Sequence, residues 1–407
     1  MATVLPFRGT RYNTERVGSD ISSLVCPSAD AIPPARRRVF HDRHPYNFCR
    51  IVAPLSAQAP SPRTQAGGWL SDGILMRDSS PSFYLLSQTF TATVGGVDDR
   101  FTRLGLIVEL EYDAVSDSSL LTPFNDIQTS FGSISDSEGT RFLVEPSLLT
   151  YNDPHRTIVP LLQEAMNSAP LTRILDDDSV EHSLHAISDE GSVSAIQAFF
   201  RSRTLMVLDG TSWSSASRRM AYLVDAADSG LFASPMHRVY RGPRNVDPAK
   251  LEEILAPDFQ CEHLPWSGGD AASALLAAYA SDHHAFILRW KASDEIILAR
   301  APHGTIRNVS CAAAGSIPPD GTVLEQVIEE RLRSLALDVS SLAVRDAHNT
   351  MDVLDHLDDG RFAILANPCE IDDLWRIAST GGQVPPRSIL FLPRLCCGLI
   401  SMPLHGW

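Results

Sequence analysis

Lysine is nearly missing from this chain. Of its 34 basic residues only Lys250 and Lys291 are lysines. Neither follows a glycine-rich loop, which excludes a P-loop, and neither sits where a Schiff-base lysine would want an apolar pocket. Lys250 is expected at an exposed helix start and Lys291 in a turn. No apolar run approaches the roughly 20 residues of a membrane-spanning helix. The opening MATVLPFRGTRYNTER lacks an apolar signal core. No membrane partner is therefore expected, and a cytoplasmic location follows by default. The seven cysteines contain no Cys-x-x-Cys pair, so neither zinc nor a disulfide framework is expected. Vicinal Cys396 and Cys397 read as a buried strand end. There is no Gly-x-Ser-x-Gly elbow and no His-Glu-x-x-His. His182, His185, His283 and His284 lack the carboxylate frame that would complete a metal site, and His284 is expected to point inward on a strand. Positive charge is also short. The formal net charge is −15, which opposes nucleic-acid binding. The dense basic run Arg36–Arg38 reads as a solvated helix face.

What is present suits a globular protein: 407 residues, 44% of them hydrophobic and 20% charged. That length predicts two domains. The turn-rich segment GPRNVDP divides residues 1–242 from a second α+β unit at 243–407. Strands are expected at Phe83–Phe90 and Gly105–Tyr112, joined as a hairpin through TATVGGVDDR. Ala53–Gly68 reads as a loop, and Asp113–Gly139 as exposed loop with at most short elements. Helical spacing occurs at Thr157–Met166 and Ser194–Phe200. In the second unit an alanine-rich helix (Ala271–Ala280) precedes a hairpin of His284–Trp290 with Glu295–Arg300. A helix at Val323–Leu335, a strand at Phe362–Ala366, a helix at Ile371–Ala378 and a strand at Ile389–Leu392 follow. Strands and helices mix without a regular βαβ rhythm, so the class is α+β, with mixed sheets and flanking helices.

The most informative stretch is Leu205–Gly230. Leu205–Leu208 form an apolar run that stops at Asp209-Gly210. Thr211 or Ser212 can cap a helix. Trp213, Ala216, Met220, Leu223, Val224 and Ala227 then recur at helical spacing, and Gly230 is a stop signal. A strand-turn-helix of this kind aims backbone N–H groups at one spot, which can hold an anion.

This turn resembles that of the prokaryotic domain-of-unknown-function family 1015, and the resemblance runs nearly the whole chain. PFRGTRYN (Pro6–Asn13), HPYNF (His44–Phe48), SPMHRVYRG (Ser234–Gly242), GRFAILANP (Gly360–Pro368) and VPPRSILFLPRLCCGLI (Val384–Ile400) are similar to family segments in order and spacing. The turn is also similar in type to the Asp-Gly-x-x-Arg turn of ParB-like and sulfiredoxin-like proteins, some of which are free-serine kinases. The resemblance implies a strand-turn-helix core of that kind. The family's His-His-Arg is here Thr211, Ser212 and Trp213. Its Pro-Tyr-Asp is Ser28, Ala29 and Asp30; its His-Glu-x-Thr is Phe124 to Ile127; its Lys-Ser-Thr is Arg387, Ser388 and Ile389. Scaffold is kept while imidazole and charge are lost, as in a decayed site or one refitted for another ligand.

The candidate site follows from these residues. Asp30 could accept a proton from a substrate hydroxyl; its bland reading is a cap for the helix starting at Pro33. His237, beside Arg238, could bind an anion or act as a base; its bland reading is a satisfied structural histidine. Asp209, Gly210, Thr211, Ser212 and Trp213 form the ligand-binding turn, with Arg8, Arg11, Arg218, Arg238, Arg387 and Ser388 around it. Trp213 cannot grip phosphate as arginine does. The expected ligand is a small anionic or amino-acid molecule. A nucleotide stays open as cofactor, while pyridoxal phosphate and zinc are not expected. The activity implied is that of an enzyme on an amino acid or its phosphorylated or activated form, by phosphoryl transfer or refitted chemistry in specialised-metabolite biosynthesis. The alternative is a decayed member serving as a ligand-binding or regulatory protein.

Overall fold

The computed structural model describes residues 2–407 except 57–58, 95–96, 113–118, 125–132, 136–140, 210–217, 236, 242–247, 267–281, 291–292, 307–308, 310–316, 335–356, 358–360, 386–388 and 404–407. Helices and mixed sheets make it an α+β fold. No helix among the described residues is long and apolar enough to cross a membrane.

A nine-stranded sheet organises the first half. Its spine is the hairpin of Phe83–Val94 with Val97–Glu111. The strand Glu181–Ile187 flanks one side and Arg218–Asp225 the other. Beyond the latter lie Ser147–Tyr151 and Leu205–Asp209. Side chains alternate between two buried faces. Tyr84, Ile107, Tyr222 and Leu148 enter one core; Leu85, Leu106, Leu223 and Leu149 enter the other. The helices Val159–Met166 and Glu190–Phe200 cover the second face through Leu162, Ile196 and Phe200. The two termini cover the first. Thr10 pairs with Ser401, Cys397 lies opposite Cys26, and Met402 pairs with Leu143. Gly9 has to be glycine, because a Cβ there would lie 2.7 Å from the Tyr84 hydroxyl and 2.6 Å from Ile400.

The second sheet has five antiparallel strands, in the order Arg238–Arg241, Arg361–Ala366, His283–Trp290, Glu295–Pro302, Gln260–Pro265. The helices Pro248–Leu255 and Glu329–Ser334 pack on the face that carries Phe286, Leu288, Phe362 and Ile364. Lys250 lies exposed on the first of these. The chain then returns to the first core, where Leu374, Ile377, Phe391 and Leu399 are buried.

Three expectations need correction. Arg218–Asp225 is a strand, not part of a helix running from Trp213 to Ala227. Both its faces are buried, so its apolar residues run on without the alternation that marks a half-exposed strand. Gly230 stops no helix; a Cβ there would lie 2.5 Å from the Arg103 backbone nitrogen. Within Ala53–Gly68 a helix begins, Pro62–Ser71, with Ser61 accepting from the Thr64 N–H at 3.2 Å and proline in the first turn. The alanine-rich helix and the turn Gly210–Trp213 lie outside the described residues. Arg36 and Arg38 are exposed on the helix Pro34–Arg43, as a solvated face requires.

Candidate functional site

Several sequence-predicted segments do meet. Leu120-Leu121 runs parallel to Leu205-Met206, so Phe124 and Asp209 lie at the same end of the sheet. Phe124 bridges to Val384, whose N–H donates to the Pro123 carbonyl at 2.6 Å. Ile389, just after Ser388, lies opposite Pro235, two residues before His237. Asp209, the Phe124 segment, the Ser388 segment and His237 are thereby hung on one frame. Arg387 and Ser388 themselves lie outside the described residues. Asp209 ends its strand exposed. Asp30 lies in a single 3-10 turn, Ala29–Ala31, whose described part caps no helix, since the next helix has Pro33 at its cap.

The predicted arginines have other work. Arg11 Nε meets Asp78 Oδ1 at 2.9 Å, and Arg8 Nε donates to the Asp78 carbonyl at 2.8 Å. Asp78 also accepts from Tyr84 Oη at 2.7 Å. Tyr84, Ile107, Tyr222, Leu148 and Asp209 form one row across the sheet. Four strand spacings put the backbones of Tyr84 and Asp209 roughly 19 Å apart. Arg8 and Arg11 thus belong to a different place from Asp209. Arg218 pairs with Glu109. Arg238 lies 3.4 Å from Glu329 and 3.7 Å from Glu325.

His237 leads to a constellation the sequence did not reveal. Its Nδ1 accepts from the Ala366 N–H at 3.3 Å. Burial lowers its pKa to about 4, so the ring is neutral and its proton sits on Nε2. That tautomer makes Nε2 a donor rather than a base. The next residue, Asn367, donates from Nδ2 to Asp320 Oδ2 at 3.0 Å. Asp320 Oδ1 lies 2.7 Å from His284 Nδ1, and both side chains are 1% exposed. The Ala285 N–H reaches Asp320 Oδ2 at 3.3 Å.

The fold brings these residues to the same end of three neighbouring inner strands of the second sheet. His284 is near the start of its strand, Asn367 follows the end of the neighbouring strand, and His303 follows the end of the next. Asp320 opens the helical turn after Pro318-Pro319. An ionised carboxylate only accepts, so His284 donates from Nδ1, and a neutral ring then carries its lone pair on Nε2. That Nε2 is buried without a hydrogen-bond partner, as is Asn367 Oδ1. Two buried orphan acceptors cost about 1–3 kcal/mol each, a cost that a donor from an ordered water or a bound molecule would relieve. The arrangement can take a proton from a bound hydroxyl or amine, with Asp320 orienting the base and stabilising the imidazolium. The only sequence signal was the inward-facing His284; its partners are 36 and 83 residues further along the chain and no short motif joins them. Among the described residues, no group of three or more His, Cys, Asp and Glu side chains is placed to hold a metal ion.

No curated protein matches the chain. Among solved structures, a conserved hypothetical protein from Pyrococcus furiosus is similar over 73% of this chain and 94% of its own, at 11% identity and a TM-score of 0.33. A free serine kinase mutant in complex with ADP is similar over 69% of this chain and 98% of its own, at 9% identity and a TM-score of 0.27. Neither likeness transfers a role to any residue here. The family model described as "Protein of unknown function (DUF1015)" matches residues 4–314, and the chain belongs to that family.

Proposed function

We propose that the protein is an enzyme acting on a small polar metabolite, an amino acid or its phosphorylated or activated form, with His284 as the general base. The observation that carries this reading is the unpartnered Nε2 of a buried imidazole whose other nitrogen is held by Asp320. His237 supplies a donor next to Asn367. Phosphoryl transfer or another group transfer to a substrate hydroxyl fits a base of this kind.

A second reading, binding without turnover, is favoured by the ion pairs of Arg11, Arg218 and Arg238. Guanidiniums engaged with the protein's own carboxylates are not free to neutralise a phosphate in a transition state. A thermal-shift screen of free amino acids, phospho-amino acids and nucleotides separates the readings. A compound at about 100 times its dissociation constant adds roughly 2.7 kcal/mol of stability. The enzyme reading expects a shift that is lost in His284→Gln, and product formation from the same compound by the wild type. A shift without turnover under any pairing with ATP or ADP selects the binding protein. No shift from any of them overturns both.

A further inference from the structure

The arginines of this protein divide by what stands opposite them. Arg11, Arg43, Arg218, Arg238 and Arg331 each face a carboxylate. Arg37 and Arg50 do not. Among the described residues neither makes an ion pair, and the Nε of each is buried without a hydrogen-bond partner. Arg50 uses one nitrogen on the scaffold: its Nη2 donates to the His41 carbonyl at 2.6 Å, in the last turn of the helix Pro34–Arg43. Arg37 lies four residues before His41, on the same side of that helix. Both residues are half-buried, so water and a small solute reach them. A guanidinium cannot shed its charge by losing a proton. Two of them with a buried donor each and no acid opposite keep an unmet demand for an anion.

We propose that Arg37 and Arg50 hold the phosphate group of a small phosphorylated metabolite. The site belongs to the N-terminal layer over the large sheet and does not depend on the reading of His284. Charge selects phosphate. Two guanidiniums match a dianion, where a carboxylate would leave one positive charge over, and each planar fork can donate to two oxygens at once. The thiol of Cys49, next to Arg50 in the chain, feels the same field. Its hydrogen bond with Cys26 lowers its pKa first, burial opposes that, and the charges of Arg37 and then Arg50 lower it further. Arg38, exposed and 3.7 Å from Asp42, lies outside the site.

The probe is inorganic phosphate at millimolar concentration, against sodium chloride and sodium acetate at the same ionic strength. Melting temperatures are measured in the wild type, Arg37→Met, Arg50→Lys and Arg38→Gln. Phosphate is expected to raise the melting temperature of the wild type and of Arg38→Gln above their values in chloride and acetate. Arg37→Met should lose that rise. Arg50→Lys keeps a charge and a donor for the His41 carbonyl but not the fork, and should bind phosphate about tenfold more weakly. In chloride, Arg37→Met should melt no lower than the wild type, because an unpartnered cation adds nothing to the fold. No phosphate-specific rise in the wild type overturns the site, as does an equal rise in Arg37→Met or a loss of the rise in Arg38→Gln. An Arg37→Met protein that melts lower in chloride, or does not fold, makes that arginine structural and overturns it as well.

Discussion

Two buried polar networks in this molecule differ in one respect. In the first, Arg103 is fully buried on the large sheet. Its Nε donates to Gln88 Oε1 at 3.0 Å and its Nη1 to the Leu392 carbonyl at 3.2 Å, and its Nη2 reaches both Gln88 and the Pro393 carbonyl. Gln88 Nε2 donates to the Arg394 carbonyl at 3.3 Å, and beside it His182 Nε2 meets Asp176 at 2.7 Å. Arg103, Gln88, His182 and Asp176 leave no buried side-chain atom unpaired. In the second, His284, Asp320 and Asn367 leave Nε2 and Oδ1 orphaned. A closed network fixes geometry, here the return of the C-terminal segment onto the sheet. An open one keeps hydrogen-bonding capacity for something that is not the protein.

The contrast is testable through stability. Arg103→Met deletes four hydrogen bonds to charge and strands the Gln88 and main-chain oxygens. It should cost about 4 kcal/mol in urea unfolding; a loss under about 1 kcal/mol would mean that the closed network holds nothing. Asp320→Ala leaves donors on His284, Asn367 and Ala285 unpaired and should cost about 3 kcal/mol by the same assay.

The histidines separate by pH. His237 is held neutral, with a pKa near 4 against about 6.5 in the unfolded chain. Its contribution is complete above about pH 6.5 and declines as pH falls to about 4, by about 3 kcal/mol in all. His182 behaves oppositely. Burial lowers its pKa, but Cys396 and Asp176 outweigh that and raise it to about 10. Its contribution is complete below about pH 6.5 and is lost as pH rises toward about 10. Urea titrations from pH 4 to pH 10 should lose their acid slope in His237→Gln and their alkaline slope in His182→Gln. A third outcome, no change in either slope, would detach both rings from stability.

The smallest effect is expected at Thr322, whose buried hydroxyl has no partner. Thr322→Val keeps the shape and removes the orphan, so stability should rise by about 1 kcal/mol. A loss of that size would show that the hydroxyl is satisfied in solution.

Much of the scaffold was legible. The strands His283–Trp290 and Glu295–Pro302 are short apolar runs separated by the polar Lys-Ala-Ser-Asp, and the helix Ile371–Ser379 carries an apolar stripe, so run length, turn residues and helical period find them. The strand Arg218–Asp225 was not legible, because a strand buried on both faces and a helix can share an apolar run. Of the proposed site the sequence offered His237 and the inward-facing His284. The site's chemistry was not legible, since Asp320 and Asn367 meet His284 only when three strand ends and a helical turn converge. The arginines misled for a related reason: sequence shows a guanidinium but not the carboxylate that already holds it.

The central claim is that Nε2 of His284 is an unprotonated, unpartnered acceptor while Nδ1–H is bound to Asp320. The ¹⁵N spectrum of the histidine rings at neutral pH measures this directly. The account predicts a His284 ring with its proton on Nδ1 and a free, pyridine-type Nε2, converting to the Nε2–H form in Asp320→Asn. A His284 ring protonated on Nε2 in the wild type, with Nδ1 as acceptor, would contradict it.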